Sequence, residues 1–490
     1  MPLASLPRVA GQAPSSPRAR FGTWRWVLLA AVAACTPAPY RGEAPPMLQP
    51  LPLQPDLDAE GALRPAPVVL ETTPDAGAQA PIAVPLAQAL RVTALAHPRI
   101  RVALEQVMQA RGDHTTASLL PNPTFSGAFT LLPLPGQSFN ATTRQGGPPQ
   151  LDLGLGVLID GWLFGKRDLA QRLAAFEVDV ALAEYADRAR VLLQETVVAF
   201  HDALLARELL QLARADRDQW QRVEQVTNQR VELGGAGRHE LDRVRAELGA
   251  ATRRALRAEA DHGNALSRFR ALLGGVPGAD RAVPEGSLSA LPTGEPPPLA
   301  EVLALAEQQR PDLEVARRRV RRAQAAVLFE RRMAWPVLGV AGGYTRQYQR
   351  RAIGFPDVSA IGGGFDLSLP LFDRNQGNIL FAESQLREAE LLLQAARVEL
   401  RAEVEQALRG YRTAMAVERT VRELELEPAT RQRDVVEAAY RLGERSVLEV
   451  LDAQGALRNA LREHWSARAE LLGTLYRLDT VVGTPVLGRP

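Results

Sequence analysis

Apolar residues recur at steps of three and four along two very long stretches of the chain. The first stretch runs from about 166 to 233, and the second from about 376 to 442 with Pro428 as its only proline. In the second stretch one apolar seam is formed by Leu393, Ala396, Leu400, Val404, Leu408, Tyr411 and Met415. This spacing predicts long helices that pack as coiled coils. At 1.5 Å per residue, each helix would extend roughly 100 Å, far beyond a globular core.

Each long helical stretch ends at a break that contains glycine and is followed by a second helical stretch. The breaks are Leu233-Gly234-Gly235 and Leu442-Gly443. Glycine just past the end of a helix favours the left-handed turn that stops it. The sequence therefore predicts two long antiparallel helical hairpins, over 166–273 and 375–482.

The period changes from helical to alternating in four short segments, which form two pairs over about 122–158 and 337–369. One face of each segment is apolar and the other is small or polar, and strands of this length suit a tilted transmembrane strand of roughly 9 to 11 residues. A half-buried sheet in a soluble domain gives the same alternation. Because four strands cannot close a barrel, the chain either oligomerises or forms no barrel.

These elements occur twice in the same order. The prolines that open the first helix of each copy, Pro98 and Pro311, lie 213 residues apart, and so do the prolines that close it, Pro123 and Pro336. A fixed internal spacing indicates a duplicated structural unit. The predicted organisation is a first repeat over 86–275, a linker over 276–297, a second repeat over 298–482 and a tail over 483–490.

The N-terminus predicts an exported lipoprotein. A short apolar stretch, Trp26 to Ala34, follows Arg18, Arg20 and Arg25 and ends directly before Cys35, the only cysteine of the chain. The segment 32–35 resembles a bacterial lipobox, so residues 1–34 are predicted to be a signal peptide and the Cys35 thiol to carry a covalent lipid. An ordinary secretory signal followed by an unmodified cysteine is the alternative. In related lipoproteins an aspartate directly after the cysteine favours retention in the inner membrane. This chain has Thr36 at that position instead, which favours delivery to the outer membrane.

Residues 35–85 are rich in proline and alanine without sustained periodicity, which predicts an extended tether. The net charge is +2 with 23% charged residues, so nothing indicates a polyanionic partner such as nucleic acid. The six histidines are scattered, and no metal site or other cofactor is predicted. Gly154-Leu155-Gly156 lacks the third glycine of a phosphate loop, and no other enzyme signature is present.

Two segments are specific enough to indicate a protein family. The more specific one runs from Tyr440 to Gln454, with the sequence YRLGERSVLEVLDAQ, and the less specific one is the strand-to-helix junction LPLFD at 369–373. With two strand pairs and two hairpins, these segments resemble the TolC family, the outer-membrane channels of tripartite efflux and type I secretion systems. The first copy lacks the junction proline. The resemblance implies a mainly helical fold with a membrane β-barrel portion, in which three chains contribute four strands each to one twelve-stranded barrel. The coiled-coil hairpins would continue it as a periplasmic α-barrel.

The resemblance also implies partners and site residues. A homotrimer would work with a periplasmic adaptor and an inner-membrane pump of the RND or ABC type, while the cargo stays open between drugs, metal ions and proteins. The expected docking turns are Leu233, Gly234, Leu442 and Gly443. The expected periplasmic gate consists of Tyr440, Arg445, Glu449, Asp452 and, across the contact, Asp242.

An independent physical argument supports the acidic part of this gate. Glu449 and Asp452 are three residues apart, so they share one face of a helix. Threefold symmetry would bring six such carboxylates near one axis, where they repel one another and attract cations. A solvated acidic pair on a helix surface is the alternative. For the whole chain, the rival hypothesis is a periplasmic lipoprotein adaptor, although adaptors have one hairpin and compact β-domains.

Overall fold

The computed structural model describes residues 70, 80–130, 148–235, 237–289, 294–441 and 444–486. The predicted signal peptide, Cys35 and most of the tether lie outside the described residues, as do Leu442 and Gly443. No helix in the described ranges combines the length and the apolar character that a bilayer-spanning helix needs. In the same ranges, no three His, Cys, Asp or Glu side chains lie close enough together to hold a metal ion.

The first repeat follows the predicted order of helix, strand pair and helical hairpin. Its elements are β1 (Ile82–Pro85), α1 (Leu86–Ala96), α2 (Pro98–Ser118), β2 (Thr124–Thr130), β3 (Gln150–Leu158), α3 (Lys166–Glu232) and α4 (Arg238–Leu272). A one-turn helix, Asp160–Leu163, lies between the last strand and the long helix.

The second repeat has the same order. Its elements are β4 (Ala282–Glu285), α5 (Leu299–Gln309), α6 (Pro311–Met333), β5 (Val337–Gln347), β6 (Val358–Ser368), α7 (Gln376–Thr420), α8 (Glu427–Arg441) and α9 (Val447–Val482). A one-turn helix, Gln349–Ala352, connects the two long strands. The two strand pairs and two helical hairpins predicted from periodicity are therefore confirmed.

The structure corrects the ends of the predicted tether and linker. β1 falls within residues assigned to the tether and β4 within residues assigned to the linker, yet the two strands pair in parallel with Ile82 opposite Ala282. Ile82 and Val84 are buried there, and Leu70 is buried in the same core. Four-residue strands are too short for alternation to identify them, and the partners are 200 residues apart.

The four longer strands form one sheet in the order β2-β3-β5-β6. β2 and β3 are antiparallel, with Thr124 opposite Gly156 and Thr130 opposite Gln150. Every residue of β2 and of β6 is exposed, including Phe125 at 73% and Ile361 at 89%. A half-buried sheet of a soluble domain would cover one face, so that alternative is wrong for this chain. Among the described residues, no further strand pairs with the outer side of β2 or of β6.

The predicted apolar seam of the second hairpin is a packed core. Leu400, Val404, Leu408 and Tyr411 of α7 are buried together with leucines of α9 at steps of four and three. The α9 leucines are Leu471, Leu475 and Leu478. Such steps keep one side of each helix facing its partner, which is why the two helices stay paired over many turns.

Pro428 does not end the second hairpin's long helix but changes its winding. A π-helical segment, Val421–Leu426, lies between α7 and α8 directly before this proline. Proline has no N–H to donate, and its ring clashes with the carbonyl four residues earlier, here that of Leu424. The wider π turn accommodates both defects and lets the helix continue.

Both long helices begin after a residue in the left-handed conformation, Gly165 with φ 69° and Asn375 with φ 60°. Glycine adopts this conformation freely and asparagine tolerates it. The Asn375 amide donates to the Glu330 carbonyl at 2.8 Å. The first junction lacks the proline of the second and contains a buried ion pair instead, Lys166 Nζ to Asp160 Oδ2 at 2.9 Å.

Candidate gate at the hairpin tips

The first tip is a glycine-terminated helix end, as the sequence predicts. Gly234 has φ 78°, its N–H donates to the Val231 carbonyl at 3.1 Å, and the Gly235 N–H donates to the Arg230 carbonyl at 2.8 Å. These two bonds form a Schellman motif, which satisfies carbonyls at the end of α3. Leu233 is 87% exposed beside the turn. An exposed leucine on a fixed turn is available for contact with another protein.

The second tip is stabilised by a cap that our sequence analysis missed. Ser446 is the N-cap of α9, and its hydroxyl accepts from the Glu449 N–H at 3.4 Å. The spacing S-x-x-E is the signature of a capping box and could have identified this helix start. Arg445 Nη1 lies 2.8 Å from Glu449 Oε2, in an ion pair that is exposed on both sides. Two of the predicted gate residues are therefore in contact within one chain.

The other predicted acids are exposed. Asp452 lies one turn along α9 from Glu449, and Asp242 lies near the start of α4, next to the buried Leu241. Within the described residues, no hydrogen bond or ion pair joins Asp242 to Tyr440 or Arg445. The structure of one chain thus does not bring Asp242 to its expected partners.

Tyr440 contacts the first hairpin at a position that the sequence did not indicate. The Arg230 guanidinium lies over its ring, 5.3 Å from the centroid. The ring also packs against a buried cluster that contains Trp220 and Val244. The Tyr440 hydroxyl is buried without a hydrogen-bond partner among the described residues. Cation–π contact and apolar packing therefore hold the two hairpins together near their tips.

Beside this cluster, a buried carboxylate joins three of the long helices. Asp216 of α3 accepts from Trp220 Nε1 at 3.2 Å and pairs with Arg254 of α4 at 2.9 Å. Arg458 of α9 lies 3.7 Å from the same carboxylate, whose side chain is only 8% exposed. Sequence periodicity gave no signal for this contact, because its partners come from two different hairpins.

A second buried carboxylate lies inside the second hairpin. Glu418 is 7% exposed, with Arg422 at 3.7 Å and Arg468 at 3.5 Å. Burial lowers the pKa of the neighbouring His464, and the Arg468 charge lowers it further. His464 is therefore neutral near pH 7, so that it adds no third positive charge to this interior.

Comparison with known proteins supports the same architecture. The profile of the outer membrane efflux protein family matches residues 87–275 and 302–484. The cobalt-zinc-cadmium resistance protein CzcC of Cupriavidus metallidurans is 26% identical over 407 residues, which are 82% of this chain and 90% of that protein. The CmeC outer membrane channel of Campylobacter jejuni has a TM-score of 0.67 at 17% identity, over 82% of this chain and 86% of that one. The open-state MtrE outer membrane channel of Neisseria gonorrhoeae has a TM-score of 0.64 at 17% identity, over 87% and 98%.

Two strand pairs, each leading into a long helical hairpin, define the fold class of the TolC-like channels, with a helical barrel and a β-barrel part. The chain belongs to the outer membrane efflux protein family. It is the outer-membrane channel of a tripartite efflux system, a class that works with an adaptor and an inner-membrane pump. The predicted fold and function are confirmed, and the rival adaptor hypothesis is wrong.

Proposed function

We propose that three copies of this chain assemble into one gated, passive duct across the outer membrane and the periplasm. The observation that carries this proposal is the four-stranded sheet, in which no strand from the described part of the chain pairs with the outer edge of β2 or of β6. Unpaired backbone groups are costly in lipid, so each edge needs a strand from another chain. Pairing β6 of one protomer with β2 of the next closes a ring, and three protomers supply twelve strands.

The gate proposal rests on charge at the second tip. Glu449 and Asp452 of three protomers would place six carboxylates near the threefold axis, and these repel one another when ionised. Arg445 offsets this repulsion through its 2.8 Å ion pair with Glu449. Asp242 is exposed, and no hydrogen bond or ion pair joins it to the described gate residues of its own chain. Its proposed partner is therefore Arg445 of the neighbouring protomer.

Conductance in planar bilayers tests the gate. We expect Arg445→Ala to raise the single-channel conductance, because the tip carboxylates lose the cation that offsets their repulsion. We expect Asp452→Ala to raise it as well, because in the proposed gate Asp452 accepts a contact from the neighbouring protomer. Arg401→Ala is the matched control, since Arg401 forms a similar exposed ion pair with Glu405 on α7, away from the tips. Unchanged conductance in both tip variants would contradict the gate.

We further propose that Cys35 carries the lipid anchor, that the tip turns at 233–234 and 442–443 dock the adaptor, and that the pump is of the RND or ABC type. The exposed Leu233 supports the docking role of the first turn. A Cys35→Ala protein should still require detergent and migrate as a trimer, because the barrel alone holds it in the membrane. A soluble monomer would refute the trimeric barrel.

The relative CzcC supports divalent metal ions as the cargo, since its name assigns it to cobalt, zinc and cadmium resistance. Deletion of the gene should lower the metal concentration that the cells tolerate, and the wild-type gene should restore it. Unchanged tolerance to all three metals, with lost tolerance to an organic drug, would assign a different cargo.

A further inference from the structure

A network of side-chain hydrogen bonds connects β3 and β5 of the four-stranded sheet, and its donors converge on the carboxylate of Asp152. Thr345 Oγ1 donates to Asp152 Oδ1 at 2.6 Å, and Gln150 Nε2 donates to the same oxygen at 2.7 Å. Gln347 Nε2 donates in turn to Gln150 Oε1 at 3.1 Å, and Gln349 Nε2 to Gln347 Oε1 at 3.0 Å. The network fixes the position of the Asp152 carboxylate on the sheet.

The donors of this network are neutral, so the negative charge is not cancelled. No Lys or Arg among the described residues forms an ion pair with Asp152. The four strands contain one basic residue, Arg346, and strand alternation directs it to the opposite face. There it lies over the Tyr348 ring at 5.4 Å and 3.9 Å from Asp357.

The face that carries Asp152 is the small, polar face of the sheet. The opposite face of β3 presents its leucines, of which Leu155 is 58% exposed. The same-face neighbours of Asp152 and Thr345 are Gly154 and Gly343, where an added Cβ would lie 2.6 Å from Ser126 Oγ and 3.1 Å from the Leu153 carbonyl. No bulky side chain at these neighbours covers the carboxylate. In a closed barrel the apolar face meets lipid, so this carboxylate faces the lumen.

We infer that Asp152 makes the strand-lined part of the duct selective for cations, separately from the acidic residues at the hairpin tips. This inference rests on the proposed trimeric barrel. Three symmetry-related carboxylates would lie at one level of the lumen, each about 10 Å from the axis. With screening at 0.1 M salt, three such charges enrich a monovalent cation at the axis about twofold. A divalent cation, the proposed cargo, is enriched about fourfold, because twice the charge doubles the interaction energy and therefore squares the enrichment factor.

Reversal potentials in planar bilayers test this inference. Wild-type and Asp152→Asn channels are measured across a tenfold KCl gradient centred near 0.1 M. We expect the K⁺/Cl⁻ permeability ratio to fall about fourfold in the variant, because the same charges that enrich K⁺ about twofold deplete Cl⁻ about twofold. This difference should shrink near 1 M salt, where the screening length is about 3 Å. Asparagine retains an acceptor oxygen for Thr345 and Gln150, so the sheet should be preserved.

Two further variants separate the possible failures. Gln347→Lys adds a positive charge beside an intact Asp152 and should also lower the permeability ratio. Asp452→Asn alters the tip, and its effect on the ratio should multiply with that of Asp152→Asn if the two levels act independently. An unchanged ratio in conducting Asp152→Asn and Gln347→Lys channels would overturn this inference and leave the channel proposal standing. A wild-type protein that forms no conducting trimer would overturn both.

Discussion

The buried ion pair at the first junction makes a quantitative prediction. Lys166 and Asp160 lie 2.9 Å apart with side chains that are 5% and 12% exposed. Lys166 Nζ also donates to the Pro336 carbonyl at 3.0 Å, so it ties the start of α3 to the residue just before β5. A cation at a helix N-terminus is otherwise unfavourable, because the helix dipole is positive there. We therefore infer that the contacts with Asp160 and with the Pro336 carbonyl explain why a lysine occupies the first position of α3.

Lys166→Met leaves the Asp160 carboxylate buried without its cation. The expected loss in the free energy of unfolding is about 3 to 5 kcal/mol, the usual cost of removing one partner of a buried pair. The double variant Lys166→Met/Asp160→Leu should recover most of this loss, because two apolar side chains leave no isolated charge.

Urea unfolding of the detergent-solubilised protein at pH 7, followed by far-UV circular dichroism, measures these differences. Arg214→Met is the matched control, since Arg214 and Glu259 form a 3.0 Å pair with side chains that are 50% and 59% exposed. Its expected cost is below about 1 kcal/mol. A Lys166→Met loss as small as the control, or a double variant as unstable as the single one, would refute the argument.

Two other predictions concern the second hairpin. Pro428→Ala restores an N–H donor and removes the ring clash, so Val421–Leu426 should change from π-helical to α-helical winding in a structure of the variant; retention of the π turn would show that neighbouring packing causes it. Burial holds the pKa of His464 below its ordinary 6.5, so the unfolded chain binds this proton more tightly than the folded chain does. The free energy of unfolding should therefore fall as the pH drops below about 7, and this fall should end once the pH is below the folded-state pKa. His464→Gln should flatten this dependence in urea titrations at several pH values, the exposed His239→Gln should not, and equal profiles would contradict the assignment.

The gate residues show how far local sequence reasoning reaches. Arg445 and Glu449 are four residues apart at a helix start, so their contact follows from helical spacing alone. The Arg230–Tyr440 contact joins residues 210 positions apart in different hairpins, and no local pattern indicates it. The roles of the five predicted gate residues depend on neighbouring protomers and stay predictions.

The sequence by itself determined the two long hairpins, the four long strands and their duplication, because helical and alternating periods are local properties that persist over many residues. The tertiary structure alone decided which distant segments meet. β1 pairs with β4, and Lys166 meets the Pro336 carbonyl, only because the two repeats pack side by side. The cation-attracting face has the same origin: alternation predicts that Asp152 is on the polar side, but Thr345 becomes its partner only when β3 and β5 become neighbours in the sheet.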